Sequence, residues 1–450
     1  MTNLEMNNAY TVSIWGDEGF SAILSMKSLP EIIRIIINDT SPPLWNISEW
    51  VVFNTFGTSE IAIRGLATLY FLLAVFFVYK IGTLIWDKKT GILAAALTFL
   101  NPFFFIYAFE GRMYSILAFG VTMSMYFFLK LLYDSDKNYK LNLVGYVIGT
   151  LWAMYSHHFA IFALFIQGFW FIYEFFFGRR EAAINIFKGF IAVGVGYVPW
   201  LYPLYKQTTM VGGGFWLGTP TFEDLAKIIG EYLAVGIKHK LAFSSFYLVL
   251  ALLTFRNWKA KVKNSLFFVS WFLGPIILTW LVSQVFQSIF FNRYLLYAIP
   301  GGMLILASQR RKYINLLFAI LIGLFVIIDY HYFTHPIKLP FREMSQYVKS
   351  TKSENDFLIN WNSSSHHIWE TKYYGIPAPI YIPGEGELPY FVGTALMEEG
   401  DVIHELPGGI ERVGVVTTGP IEEIELPGYT ESEIAEYGRL KFVWYESTLK

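Results

Sequence analysis

Cysteine is missing from this 450-residue chain, which excludes a disulfide framework, a thiolate nucleophile and any reading of compartment from redox chemistry. Charge is scarce as well: Asp, Glu, Lys and Arg make up 15% of the residues, against 54% hydrophobic and 19% aromatic. Soluble domains average about a quarter charged, so the composition points to a membrane protein. Base is short at one end of the chain. From residue 336 onward 18 acids meet 9 bases, whereas the residues before it hold 17 acids and 25 bases. An excess of acid of that size argues against nucleic acid as the partner of the tail. The tail also lacks a glycine fingerprint at a strand-to-helix turn, which argues against a nucleotide site.

What the sequence does have is long apolar runs. A helix rising ~1.5 Å per residue needs roughly 20 apolar residues to cross ~30 Å of hydrocarbon. Runs of about that kind occupy 61–86, 91–109, 113–132, 141–156, 158–177, 184–204, 230–254, 265–285, 293–309 and 313–333, ten in all. The short fourth run and the fifth, with His157 and His158 at their junction, read as a hairpin. Placing loops 87–90, 133–140, 178–183, 255–264 and 310–312 on one side collects Lys88, Lys89, Lys137, Lys140, Arg179, Arg180, Arg256, Lys259, Lys261, Lys263, Arg310, Arg311 and Lys312 there. Positive loops mark the cytoplasmic side. The opposite loops hold only Arg112, Lys206 and Lys227, and ten spans put residues 1–60 and the acidic tail together outside. Export of such an N-terminus leads to the expectation that a preceding helix is missing from this chain, the alternative being translocation by the first helix itself. Residues 28–37 and 42–56 are amphipathic and too short to span, so they read as interfacial helices, with Trp45 and Trp50 at headgroup depth and Pro42 and Pro43 starting the second.

Ionisable groups at a membrane boundary are costly and call for a partner or a task. On the outer side the chain offers Asp17, Glu18, Asp39, Arg64, Glu110, Arg112, His157, His158, Lys206 and Arg293. Taken singly, Asp17 and Glu18 suit a solvated loop, Arg293 a snorkelling helix end, and the adjacent histidines interfacial side chains rather than metal ligands. Their common depth joins them. Carboxylates and guanidiniums at one level suit transfer of a sugar from a lipid phosphate. The departing phosphate needs Arg or Lys, and a carboxylate takes the proton of the attacking hydroxyl. One attack inverts the anomeric centre, so one base suffices.

Six blocks then carry a resemblance: "SIWGDEGFSA", "NDTSPPLWNISEWVVFNTFGTSEIAIRGLATLY", "LNPFFFIYAFEGRMYSILAF", "MYSHHFAIFAL", "YVPWLYPL" and "NRYLLYAIPG". In this order, over about residues 13–310, the chain resembles the dolichyl-phosphate-mannose-protein mannosyltransferase-like proteins. These are polytopic C-superfamily glycosyltransferases of the family 39 type, related to protein O-mannosyltransferases and to the lipid A aminoarabinose transferase. The resemblance implies a polyprenyl (dolichyl or undecaprenyl) phosphate donor and a catalytic acid at Asp17, with Glu18 beside it and Asp39 at the second acidic position of the first outer loop. It implies that Glu110 and Arg112 fall on a motif written Q-E-A-R-M-Y, with Phe109 and Gly111 replacing its glutamine and alanine. His157 and Arg293 also fall on family positions. Donor phosphate contacts are thus expected from Arg112, Arg293 and Lys206, with Glu110, His157, His158, Arg64 and Tyr294 in support. No cofactor is required, although paired acids could hold a divalent cation. The acceptor is a protein, glycan or lipid.

The tail, 336–450, alternates helix-like and strand-like stretches, "FREMSQYVKSTKSE", "DFLINW", "SHHIWETKYYG", "APIYIP", "RVGVVTTG", "ESEIAEYG" and "KFVWYES", which suits a small α/β domain with a largely parallel sheet. His366, His367 and His404 read as scattered surface histidines. The organisation expected is an outer catalytic loop at 1–60, a transmembrane domain at 61–335 and an outer α/β domain at 336–450 that engages the acceptor or caps the site. A transporter or flippase of lipid-linked sugars is the rival, but it calls for inverted repeats and helices broken at mid-membrane, and neither is clear. A catalytically dead structural protein would have no reason to retain Asp17, Glu18, Glu110, Arg112 and Arg293 together.

Overall fold

The computed structural model describes residues 7–133, 138–234, 262–309, 314–361, 365–384 and 386–448. The chain forms two compact units, one of residues 1–39, 46–63 and 334–450 and the other of residues 40–45 and 64–333.

In the first unit the N-terminal sequence is helical from the start. Helix α1, Gly16–Ser25, carries Asp17 and Glu18 in its first turn, where the helix dipole favours acid. Glu18 reaches back to accept the Trp15 N–H at 3.3 Å, closing the helix start. The solvated loop expected at this pair is therefore a capped helix N-terminus. Helix α2, Leu29–Ile36, begins the same way: the Glu31 carboxylate accepts from both the N–H and the hydroxyl of Ser28, and a proline sits in the first turn. Helix α3, Leu44–Phe56, follows Pro42 and Pro43.

The tail contributes helix Phe341–Thr351, helix His367–Tyr373 and six strands. These are β1 (Phe357–Trp361), β2 (Ile380–Tyr381), β3 (Val402–Ile403), β4 (Arg412–Thr417), β5 (Tyr429–Tyr437) and β6 (Leu440–Ser447), in the spatial order β3-β2-β1-β4-β6-β5. The first four strands pair in parallel, but β6 runs antiparallel to β4 and β5. The sheet is thus mixed where a largely parallel one was expected. The cause is "ESEIAEYG", a strand rather than a helix. Tyr437 pairs with Leu440 across a two-residue turn in which Gly438 holds φ +69°, a conformation that costs glycine little and other residues more.

Side chains alternate across the sheet. Ile359, Val413, Val415 and Val443 fill one core. Leu358, Val416, Phe442 and Trp444 fill the other, together with Phe341, Met344 and Val348 of helix Phe341–Thr351 and with Ile14, Ala22, Phe53 and Ile63 from the N-terminal segments. Each fully buried large apolar side chain stabilises by roughly 1.5–3 kcal/mol, so the first sixty residues share a hydrophobic core with the tail. Ion pairs add to it, Arg342 with Glu60 at 2.6 Å and Lys338 with Glu18 at 2.8 Å.

In the second unit, among the described residues, six helices are long and apolar enough to cross a membrane: Glu60–Ile85, Tyr114–Tyr133, Ala160–Phe177, Arg180–Gly212, Ser265–Val285 and Asn315–Thr334. The 91–109 run is a pair, Lys88–Phe99 and Pro102–Phe109, bent by 61°. Asn101 caps the second member, its side chain accepting the Phe104 N–H at 3.0 Å ahead of Pro102. The 141–156 run is the helix Tyr139–Ser156, and 293–309 is a 3₁₀ segment, Asn292–Ala298, followed by the helix Ile299–Ala307. Of the run at 230–254, residues from 235 lie outside the described residues, as do Lys137, the loop at 255–264 as far as 261, and the loop at 310–312.

Candidate active site

The acidic candidates lie in the first unit. Glu18 is fully buried and doubly engaged, by the Trp15 N–H and by the Lys338 ammonium. Asp17, one residue before it, is half-buried. Asp39 is buried just past the end of α2, its N–H bonded to the Ile36 carbonyl at 3.1 Å.

Sequence reasoning missed what α1 packs on. Gly16 and Gly19 form its contact with helix His367–Tyr373: a Cβ at Gly16 would meet the His366 Cβ at 2.8 Å, and one at Gly19 the Trp369 backbone at 3.0 Å. His367 is not a surface histidine. It is buried, with Nδ1 at 3.1 Å from the Glu370 carboxylate and Nε2 at 3.3 Å from the Thr418 hydroxyl. The Gly16 backbone is among the groups that act on Glu370. Burial pushes the Glu370 carboxyl above its usual range, the His367 hydrogen bond works against the shift, and the charge of Asp17 adds to it. His404 is exposed, its Nδ1 on the Ile382 carbonyl.

The basic candidates lie in the second unit, and several of them meet. "FEGRMY" is the bend between a 3₁₀ turn, Tyr107–Phe109, and helix Tyr114–Tyr133; the Arg112 N–H closes on the Glu110 carbonyl at 2.7 Å. Glu110 is buried and Arg112 half-buried. Arg64 is wholly buried on Glu60–Ile85, and that helix is tied to the bend through the Thr68 hydroxyl, which donates to the carbonyls of Arg64 and Ala108.

Arg293 sits not at a helix end but within the 3₁₀ segment, its guanidinium 4.8 Å from the Phe291 ring centre, 5.6 Å from Tyr114 and 6.0 Å from Tyr294. Aromatic faces attract a cation of this shape. Tyr294 in turn packs on His157 at 5.0 Å and Phe159 at 5.1 Å. The segment is braced by residues that carried no sequence signal: the Asn292 amide donates to Glu231, the Tyr232 hydroxyl donates to the Asn292 carbonyl, and Asn101 donates to the Tyr232 carbonyl.

His157 and His158 fill the turn between helices Tyr139–Ser156 and Ala160–Phe177. His157 Nδ1 accepts the Phe159 N–H at 3.1 Å, which places any neutral-ring proton on Nε2. Burial holds its pKa well below the ordinary value, and His158, Arg112 and Arg293 push it the same way. His158 pairs through Nε2 with Gln207 at 2.7 Å, and Gln207 donates to the Ser41 carbonyl. Burial takes the His158 pKa down to about 4 against that hydrogen bond. Both imidazoles are therefore neutral at pH 7, so the positive charge here belongs to Arg112 and Arg293. Lys206, next to Gln207, is exposed.

Among the described residues no three His, Asp or Glu side chains gather as a metal site requires.

No family model and no curated protein matches the sequence. Solved structures do. The apo structure of ArnT from Cupriavidus metallidurans is similar over 98% of this chain and 94% of its own, with TM-score 0.57 and 13% identity. The chain has the fold of that ArnT structure. The same ArnT bound to undecaprenyl phosphate aligns over 97% of this chain and 94% of its own, with TM-score 0.45 and 14% identity. The apo oligosaccharyltransferase of Archaeoglobus fulgidus aligns over 82% of this chain and 62% of its own, with TM-score 0.50 and 13% identity.

Proposed function

We propose that this protein transfers a sugar from a polyprenyl phosphate to an acceptor hydroxyl at the outer face of the membrane, with inversion. The observation that carries the reading is that Arg293 sits beside Tyr294, which packs on a neutral His157 at 5.0 Å, and that the charges of Arg112 and Arg293 both act on that His157, in a chain with the fold of ArnT. Two guanidiniums suit a phosphate monoanion as ligand and stabilise the charge it gains on leaving. Undecaprenyl phosphate, the ligand of one ArnT structure, belongs to that class. Phe291, Tyr114 and Tyr294 surround the Arg293 guanidinium, and the His157 Nε2–H is a further neutral donor. Lys206 extends the basic set.

The chemistry asks for one base. The acceptor oxygen attacks the anomeric carbon, the bond to the phosphate oxygen breaks with its electrons leaving on phosphate, and the hydroxyl proton passes to Asp17. Asp17 suits the role better than Glu18, whose carboxylate is committed to Lys338 and Trp15. Asp39 and Glu110 remain the next acids in order. No cofactor enters these steps.

The test incubates the detergent-purified protein with dolichyl- and undecaprenyl-phosphate sugars and follows lipid phosphate release and the glycosylated product by mass spectrometry. Release that is lost in Asp17→Asn and persists in EDTA is the expected result. Absence of release from every donor overturns the reading, and release unchanged in Asp17→Asn transfers the base to Asp39 or Glu110.

A further inference from the structure

The tail helix His367–Tyr373 touches the turn that carries Asp17, and it does so with a buried acid. Resting on the reading of Asp17 as the base, we propose that Glu370, fixed by His367, is a positioning residue for Asp17, holding the first turn of α1 and setting the charge against which Asp17 takes up the acceptor's proton.

Four observations converge on this. Helix His367–Tyr373 begins against Gly16, the residue before Asp17, where a Cβ would meet the His366 Cβ at 2.8 Å, and the Gly16 backbone is among the groups that act on the Glu370 carboxylate. His367 Nδ1 at 3.1 Å and the Thr418 hydroxyl beyond its Nε2 fix the direction of that carboxylate, and Phe341 packs on the imidazole at 4.9 Å. The two glycines leave no slack between α1 and this helix. Phe20 and Trp369 lock the next turn edge to face at 5.4 Å. Glu370 is 2% exposed, an expensive position for an acid that only seals a helix contact. The charged groups acting on it are His367 and Asp17. His366, whose Cβ lies 2.8 Å from where a Gly16 Cβ would stand, is the further titratable group facing this turn, while Glu18 pairs with Lys338, Arg342 with Glu60, Glu343 with Ser13 and Asn7, and Lys372 with Asp401. Repulsion between two carboxylates is mutual, so a charge at Glu370 favours the protonated form of Asp17, the form it reaches as base.

Glu370→Gln keeps shape and a hydrogen-bond acceptor while removing the charge. With a polyprenyl-phosphate sugar that the wild type turns over, we expect kcat to fall about tenfold, KM for the donor to stay within about twofold, and the acid limb of kcat against pH to move to lower pH. A merely structural defect lowers kcat alike at every pH. A Glu370→Gln profile superimposable on wild type, or lowered uniformly, overturns the proposal. Asp17→Asn in the same assay separates the two levels: if it is inactive while Glu370→Gln is normal, only this inference fails, and if it is active the reading of the base fails first. A measurement without donor tests the contact itself. Melting of the purified protein with Asp17→Asn, Glu370→Gln and both, between pH 4 and 8, should be non-additive as the repulsion demands, and additive shifts overturn the proposal.

Discussion

Asp17 and Glu18 are neighbours in sequence with different surroundings. Glu18 is enclosed with Lys338, so Glu18→Gln should lower stability by about 3 kcal/mol, the scale of breaking a buried pair, while leaving turnover of the folded fraction. Asp17→Asn should do the reverse, melting no lower than wild type and losing ~10²–10⁴ in rate. Melting and turnover measured on both variants separate the roles, and a dead but fully stable Glu18→Gln would exchange them. His158 gives a second residue-scale test. Its pKa falls from 6.5 to about 4 on folding, so the unfolded chain binds the proton first and stability is lost as pH drops from about 6.5 towards 4. The loss is on the order of 3 kcal/mol at ~1.4 kcal/mol per unit. His158→Gln, which retains a partner for Gln207, should flatten that part of the stability profile relative to wild type. Arg112, Arg293 and His157 were legible in the sequence because a charged or polar group in an apolar run is expensive and therefore conspicuous. Glu370 and His367 were not, because in an acidic tail one more acid carries no signal until packing shows it buried.

At the scale of elements, helix α1 depends on close approach. Gly16→Ala and Gly19→Ala each place a methyl against His366 or the Trp369 backbone, and overpacking of this kind costs typically 1–3 kcal/mol. Both should melt lower, and Gly19→Ala should also lose turnover because it shifts the turn bearing Asp17. Gly65→Ala is the control: it meets nothing within 4 Å on its helix, so alanine should be neutral or stabilise by up to about 1 kcal/mol. Equal losses in all three would show that helix packing is not the cause. The use of these glycines is contact with a partner distant in the chain, which a local pattern does not encode. The same limit explains β5. Its glutamates suggest a helix, yet they are the exposed acids of an edge strand, which discourage pairing with other chains; the decisive cue was the turn at Gly438. The long apolar helices were legible because hydrophobic length is a local property.

For the whole molecule the decisive fact is the composition of the first unit. Residues 1–39 and 46–63 form it together with 334–450, and the N-terminal segments share one of its two hydrophobic cores with the tail. A core of that kind cannot be divided by a bilayer, so the chain that leaves at Ile63 and returns at Thr334 crosses the membrane an even number of times. The ten runs of the sequence satisfy that parity, and so do the six helices alone; adding only the bent pair does not. Loop charge then supplies the expected direction: the bases concentrate in loops such as 87–90 and 178–183, which are expected inside. The first unit, with Asp17, is accordingly expected outside. Because the native chain has no cysteine, single replacements report cleanly. Glu423 and Lys89 are both exposed. An impermeant maleimide applied to intact cells should label Glu423→Cys and not Lys89→Cys, and both should react once the membrane is opened. Labelling of Lys89→Cys alone would invert the topology and place the Asp17 chemistry on the cytoplasmic side. Labelling of both in intact cells would break the parity and require that one of the long helices does not cross.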